Sequence, residues 1–507
     1  MRSVTVQRAR RMNAPLGRVA VACEVMLFAL LVNTTYIQAF RADRLAGDPR
    51  NRHGMIERFD GPRGDIVLRD ETVIATSRRS GDRTYRYRRV YPQGPLYAPV
   101  TGYLSLYGSS GIEAAEDPDL SGSDPGVRVR SLMDGIRSGA TLKLTLDGRA
   151  QRAAYRALRA TGKPGAVVAI NPNTGAILAM ASYPSYDPNL YTVFDTAALD
   201  AADRRLQRDP GRPLLNRAIQ RTYPPGSAFK VVTTAAALSS ERYGPATAVS
   251  APASLRLPGT RVRVRNSGGA ACGDGHPSLA YAFKVSCNTP FAKIGLDLGQ
   301  NALREQAEAF GFGAADLAVP MPVAVSVYPE RMSRAQTAMS ALGQFDTRAT
   351  PLMIAMFSAA VAGHGDLMRP YLVEEVRLAD GTVIGNAEPS RYRRVLGADE
   401  ADRLTAMMVA VTRPGGTGAA AAIPGIDVAA KTGTAENAPS RENHAIFTGF
   451  APADAPRVAV GVVVEHGGFG GEVAAPIARA VMRAVLPSPG REERAAEGEA
   501  EGETEGE

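Results

Sequence analysis

Tryptophan is absent from these 507 residues, aromatic side chains together make up 6%, and only five histidines and three cysteines occur. His53, His276, His364, His444 and His466 are scattered with no H-E-x-x-H, and Cys23, Cys272 and Cys287 form no C-x-x-C. Neither a metal site nor a cofactor is therefore expected. Zinc-finger spacing and an RNA-binding aromatic pattern are also missing, and no Lys/Arg-rich block follows the N-terminus. Nucleic acid is thus not the expected partner, although the net charge is +8. The scarcest cation is lysine. Of 59 basic residues 53 are arginine, and the six lysines are Lys143, Lys163, Lys230, Lys284, Lys293 and Lys431. Arginine keeps its proton, whereas a buried lysine can become a neutral amine and act as a base. Lys230 is the one to suspect first.

The chain is long enough, and at 45% apolar content rich enough, to bury a large core in more than one domain. Residues 1–18 carry Arg2, Arg8, Arg10, Arg11 and Arg18 and no acid. Residues 19–40 are mostly apolar over about the length needed to cross a bilayer, and lack a signal-cleavage pattern, so a retained anchor is expected. Arginines flank this stretch on both sides and do not orient it. Residues 41–140 are polar and rich in Arg and Tyr, with short alternating stretches (Asp65 to Leu68, Arg83 to Tyr91) between turns, which predicts strands. The Arg63-Gly64-Asp65 triplet lies in such a turn, where an adhesion role is not expected. Residues 141–487 differ in texture. Thr141 to Leu146 reads as a strand and Gly148 to Ala160 as a helix. Ala166 to Ile170 and Ala176 to Ala181 form a hairpin across Asn171-Pro172-Asn173-Thr174-Gly175. Leu279 to Leu298, Ser333 to Leu342 and Leu352 to Ala362 read as helices. Val428 to Glu436, Ala445 to Phe450 and Val458 to Glu465 read as strands, and Ala474 to Leu486 as a closing helix. Strands at both ends around a helical middle predict one α+β domain whose sheet is assembled from its two ends. From Arg491 the tail holds eight Glu and two Arg, leaving +14 on the rest, and residues 488–507 are expected to be disordered. So basic a body suits an anionic surface such as a membrane or a cell wall.

Three motifs carry chemistry. In Tyr223-Pro-Pro-Gly-Ser-Ala-Phe-Lys230 a turn gives way to a breaker-free run, which predicts a helix beginning at or just before Ser227. Ser227 and Lys230, three apart, share a helical face, so a hydroxyl and a base that can activate it fall beside the free N–H groups of a helix N-terminus. Ser286-Cys287-Asn288 offers a hydroxyl and an amide two residues apart. Lys431-Thr432-Gly433-Thr434 lies on a predicted strand, where Gly433 lets a ligand backbone approach and Lys431 supplies charge. Each alone has a bland reading: a solvated helix start, a cap or turn, a glycine bulge at a sheet edge. Together, in this order and separated by 59 and 145 residues, they make a specific signal.

On these motifs the chain resembles the penicillin-binding proteins, the serine D,D-transpeptidases of bacterial cell-wall synthesis, which carry S-x-x-K, S-x-N and K-[ST]-G in this order. The likeness extends to Pro62-Arg63-Gly64-Asp65-Ile66 (an R-G-x-I element) and to Tyr107-Gly108 through Gly111-Ile112-Glu113 (a G-x-E element). It also takes in Gly343-Gln344 with Thr350-Pro351-Leu352, and Phe447 to Pro452. About 100 residues between anchor and transpeptidase region leave no room for a glycosyltransferase domain, so the resemblance is to the monofunctional class B type, and the Arg-rich composition is similar to actinobacterial A-type members.

The resemblance implies an α+β, serine β-lactamase-like transpeptidase domain whose sheet is flanked by helices, preceded by a strand-rich N-terminal pedestal domain and a single transmembrane helix. It implies Ser227 as nucleophile, with Lys230, Ser286 and Lys431 catalytic. Asn288, Thr432, Gly433 and Thr434 would bind substrate. The substrates would be peptidoglycan stem peptides and the inhibitors β-lactams. It further implies a cytoplasmic-membrane protein with its N-terminus inside and its catalytic domain outside, and a SEDS-family glycan polymerase as partner. In that compartment Cys272 and Cys287 could form a disulfide closing a loop worth about 3 kcal/mol; two buried free thiols are the alternative. Other readings of the function are a β-lactamase or D,D-carboxypeptidase on the same scaffold, or a non-catalytic β-lactam sensor or scaffold of a wall-synthesis complex. No clear E-x-x-x-N stretch that would supply a water-activating Glu lies between Asn288 and Lys431.

Overall fold

The structure is a computed structural model describing residues 3–37, 40, 56, 58–127, 138–435 and 442–487. The Glu-rich tail and part of the region after the apolar stretch therefore lie outside the described residues. The chain divides into two units, residues 1–61 with 81–86, and residues 62–80 with 87–507. The first is dominated by helix α1 (Ser3–Tyr36). Its segment Gly17–Tyr36, with mean hydropathy 1.7, leaves Leu27, Phe28 and Leu31 exposed and fits a single-pass membrane anchor.

The second unit starts with strands β1 (Ile66–Val67), β2 (Val73–Arg79), β3 (Tyr87–Val90) and β4 (Thr141–Leu144), with short helices between β3 and β4. Here the R-G-x-I and G-x-E elements meet. Glu113 is fully buried, and its carboxylate accepts from Arg63 Nε at 2.6 Å, Arg89 Nε at 2.5 Å and the Tyr91 hydroxyl at 3.2 Å. Burial pushes the Glu113 carboxyl up, but Arg89 and Arg63 outweigh it and hold the group below its ordinary range. Arg63 is thus an internal strut, which removes any adhesion role for the Arg-Gly-Asp triplet.

Helix α2 (Gly148–Ala160) is capped by Asp147, whose side chain accepts from the Arg149 and Ala150 amides. The hairpin β5 (Gly165–Ile170) and β6 (Ile177–Tyr183) follows. Helices α3 (Lys230–Ser239), α4 (Leu279–Lys284), α5 (Thr289–Ala309) and α6 (Pro351–Ala362) make up the middle. All twelve residues of α6 are buried, so it is apolar all round, as a central helix should be. Then come β7 (Val373–Arg377), β8 (Val383–Asn386), α7 (Ala398–Thr412), β9 (Ala429–Ala435), β10 (His444–Ala451), β11 (Val458–Val464) and α8 (Gly470–Val485).

One sheet of five strands runs β9-β10-β11-β5-β6, all antiparallel, with α6 on one face and α2 and α8 on the other. It is assembled from the two ends of the region, as the strand pattern implies. Its strands are almost wholly buried, and the Val-rich run of β11 suits a strand covered on both faces. β9 lies at the sheet edge. A second sheet, β8-β7-β4-β1-β2-β3, takes β4 away from the central sheet: β4 pairs parallel with β1 and antiparallel with β7. The expected strand at Thr141 is present, but it ends at Leu144 and joins the pedestal strands.

Candidate active site

The serine of S-x-x-K does not open an α-helix directly. Gly226–Phe229 forms a single 3-10 turn, and α3 starts at Lys230. The rigid Pro224-Pro225 pair ahead of it fixes the entry angle, and the tighter turn follows. Ser227 is partly exposed. Gly433 of β9 packs directly against this turn: a Cβ there would lie 3.0 Å from the Pro225 carbonyl oxygen and 3.1 Å from the Ala228 nitrogen. The K-T-G strand and the Ser227 turn therefore touch at two positions where a side chain is missing, Gly433 and Gly226, the latter against the Thr434 carbonyl.

The S-x-N segment breaks what reads from sequence as one helix, Leu279 to Leu298. Helix α4 stops at Lys284 and α5 restarts at Thr289, with Ser286 between them in the left-handed region at φ 60°. That conformation is strained for a residue with a Cβ. It also delivers the Ser286 hydroxyl to two lysines at once. Lys431 Nζ donates to Ser286 Oγ at 2.7 Å, and Lys230 Nζ lies 3.3 Å from the same oxygen.

Lys230 and Lys431 are both fully buried. Lys230 Nζ donates to the carbonyl oxygens of Ser286 and Cys287, both at 2.8 Å, and to Asn288 Oδ1 at 2.9 Å. Among the described residues its amine makes no hydrogen bond to Ser227; it is turned toward the S-x-N segment. Burial holds the Lys230 amine well below the usual ammonium range, and the like charge of Lys431 lowers it further. Burial brings Lys431 down to about 7. The rings of Phe291 and Phe283 lie 5.2 Å and 5.6 Å from the Lys230 and Lys431 nitrogens. Each ring gives a small cation–π contribution in the opposite sense. No carboxylate bonds to Lys230, Lys431 or Ser286 among the described residues.

Asn288 is engaged at both ends of its amide, Oδ1 with Lys230 and Nδ2 donating to the Arg265 carbonyl at 3.0 Å, which leaves one N–H uncommitted. Thr432 shares a 2.6 Å hydrogen bond with the Thr417 hydroxyl. Cys272 and Cys287 are joined in a disulfide, so the residue inside S-x-N is tied to the preceding loop. Asn266 of that loop accepts the backbone N–H of Asn288 at 2.9 Å and of Thr289 at 3.0 Å. Asn266, Thr417, Phe283 and Phe291 escaped the sequence reading. The aromatic pair, lying eight apart and flanking the S-x-N motif, was the only local signal.

A partly exposed serine on a 3-10 turn, two buried lysines meeting at a second serine, and a K-T-G edge strand of a five-stranded sheet define the active-site serine class of penicillin-recognising proteins. The chain belongs to the penicillin-binding protein transpeptidases, and within them to class B. Residues 165–483 match the penicillin binding protein transpeptidase domain family, and residues 63–141 match the penicillin binding protein A dimerisation domain. The chain is similar to the peptidoglycan D,D-transpeptidase PbpA of Mycolicibacterium smegmatis, 43% identical over 488 residues, or 93% of this chain and 98% of that protein. It is 40% identical, over the same shares, to PbpA of Mycobacterium tuberculosis. The solved structure of penicillin-binding protein A from M. tuberculosis as its ceftriaxone acyl-enzyme superposes with a TM-score of 0.82, covering 85% of this chain and all of that one.

Proposed function

We propose that the chain is a peptidoglycan D,D-transpeptidase that works through an acyl-serine at Ser227 and is inhibited by β-lactams. The observation that carries the assignment of roles is the convergence of two buried lysines on Ser286 beside the Ser227 turn. Lys230, neutral through burial and through the charge of Lys431, takes the Ser227 proton. The serine oxygen bonds to the penultimate D-Ala carbonyl carbon, and the oxyanion is held by the backbone N–H groups of Ser227 and Thr434. The C–N bond to the terminal D-Ala breaks as Lys230 and Ser286 pass the proton to the leaving amine. The free N–H of Asn288 holds the peptide amide, and Lys431, Thr432 and Thr434 line the carboxylate side, with the substrate extended along the β9 edge. An amine of a neighbouring stem then attacks the ester carbonyl; the new C–N bond makes the cross-link as the ester C–O bond breaks, and the proton the amine loses passes to the Ser227 oxygen. A β-lactam undergoes the first step, but its opened amide stays tethered and the adduct persists. That no carboxylate bonds to Lys230, Lys431 or Ser286 among the described residues favours an amine acceptor over hydrolysis by a Glu-activated water.

The same reading places residues 1–18 in the cytoplasm, 19–40 in the membrane, and the pedestal (41–140) and transpeptidase domain (141–487) outside, with the tail 488–507 beyond. A SEDS-family polymerase is the partner it implies, and co-purification with such a polymerase tests this. Labelling by a fluorescent penicillin tests the core assignment: a stable adduct is expected on the wild-type protein and none on Ser227→Ala. Equal labelling of both would move the nucleophile elsewhere.

A further inference from the structure

We propose that Glu465 is a positioning residue that holds the Ser227 turn in register with the central sheet through Tyr223. The proposal rests on the assignment of Ser227 as nucleophile. Two hydrogen bonds between the backbones of Tyr223 and Ala349, each 2.8 Å, and one from Gly226 N to the Gly343 carbonyl at 3.0 Å, tie the turn to the segment between Gly343 and Ala349. Neither tie reaches the sheet that carries Lys431 to Thr434. Against β9 the turn makes van der Waals contact, at Gly433 and where Gly226 abuts the Thr434 carbonyl, and among the described residues no hydrogen bond joins residues 223–229 to that strand. The link to the sheet is a side chain. The Tyr223 hydroxyl donates at 2.8 Å to Oε1 of Glu465, the residue immediately after β11.

This link is built as a fixed point. Tyr223 is 2% exposed and Glu465 6%. The same carboxylate oxygen accepts from Arg217 Nε at 2.9 Å and pairs with Arg221 at 3.3 Å. Arg217 is itself buried, and its two other nitrogens donate to the Gly211 and Arg212 carbonyls. The Tyr223 ring is clamped between the Arg221 guanidinium, 5.5 Å from its centroid, and the edge-on ring of His444 at the start of β10. Between this anchor and Ser227 stand Pro224 and Pro225, which have the fewest free dihedrals available to a chain. A stiff arm so held passes any displacement at Tyr223 on to the serine. Misplacement of a reacting group by about 1 Å can lower a rate by about two orders of magnitude.

The test uses the full-length protein in detergent, with Tyr223→Phe, Glu465→Gln and the double variant. Fluorescent penicillin gives the second-order acylation rate and, at saturation, the fraction of molecules labelled; thermal melting is followed in parallel. Positioning predicts full labelling with a rate lowered about tenfold in each variant. The double variant should be no slower than the slower single one, because both act through one bond. A purely structural role would lower melting temperature and labelled fraction while leaving the rate of the labelled molecules unchanged, and that result, or additive losses in the double variant, overturns the proposal. Tyr223→Phe removes a single oxygen and carries the test if Glu465→Gln does not fold. Ser227→Ala, run beside them, separates the two readings. An adduct on that variant overturns the nucleophile assignment. No adduct there, with a wild-type rate in Tyr223→Phe, overturns only the role of Glu465.

Discussion

Replacing Lys431 with methionine separates the energetic burden of the site from its chemistry. Burial brings the folded-state pKa of Lys431 to about 7, against an ordinary value of 10.5. At about 1.4 kcal/mol per pKa unit, keeping the proton in the fold is unfavourable by about 5 kcal/mol. The folded value is the lower one, so between about pH 7 and 10.5 the unfolded chain binds a proton that the folded chain has released. Stability therefore rises with pH through that window, and the full penalty applies below it. Methionine fills a similar volume and does not titrate. From pH 7 to pH 9 the stability of the variant relative to wild type should thus fall by about 2 kcal/mol. The variant also loses the hydrogen bonds to Ser286 Oγ and the Thr432 carbonyl and the contact with Phe283, together about 1–3 kcal/mol. Those losses move the whole curve and leave its slope largely unchanged. Function should respond in the opposite way. Without the like charge nearby, Lys230 keeps its proton to higher pH, so residual β-lactam acylation is slow and its pH profile shifts to the alkaline side. Guanidinium chloride unfolding at pH 7, 8 and 9, with acylation rates at the same pH values, measures both. Parallel stability curves for the two proteins would refute the burial argument, and an unshifted acylation profile would refute the coupling between the lysines.

Glu113→Gln in the pedestal leaves Arg89 without its counter-charge and Arg63 with only Asp117. Removing one partner of a buried pair is typically destabilising by about 3–5 kcal/mol, and a clear drop in melting temperature is expected. An unchanged melt would show that the cluster contributes little. At Ser286, alanine and glycine both delete the hydroxyl that the two lysines share, so both should acylate poorly. Only glycine accepts φ 60° without strain, and Ser286→Gly should be the more stable of the two by about 1 kcal/mol in denaturant titration. The reverse order would mean that the backbone there relaxes.

Much of the central sheet could be read from the chain because its strands are buried on both faces. Continuous apolar runs such as Val458 to Val464, bounded by turns, leave little ambiguity. Helix α2 matches its expected span because Asp147 marks its start and the next run of apolar residues begins beyond Lys163. The break at Ser286 was hidden for the opposite reason. Leu279 to Leu298 reads as one apolar run in which Pro290 marks the restart of α5, but nothing in Val-Ser-Cys-Asn announces a left-handed residue; the disulfide to Cys272 and the two lysines hold it there. The S-x-x-K spacing singles out Ser227 and Lys230, but three residues of separation cannot reveal that Lys230 donates to Ser286, Cys287 and Asn288. The departure of Thr141–Leu144 to the other sheet was equally illegible, because pairing partners 76 and 229 to 236 residues away leave no trace in local pattern.

That pairing bears on where the chain can be cut. The sheet β8-β7-β4-β1-β2-β3 takes β1 to β3 from the pedestal and β7 and β8 from deep within the transpeptidase region, with β4 as the seam between them. A shortened chain beginning near residue 160 would strip β4 from the β7 edge and leave a bare row of amide and carbonyl groups on an isolated hairpin, an invitation to pair with a second molecule. A boundary placed ahead of Pro62 keeps both flanks of the seam in one piece. By this geometry the pedestal is the unit to include in any soluble version of the enzyme, whether or not catalysis itself uses it.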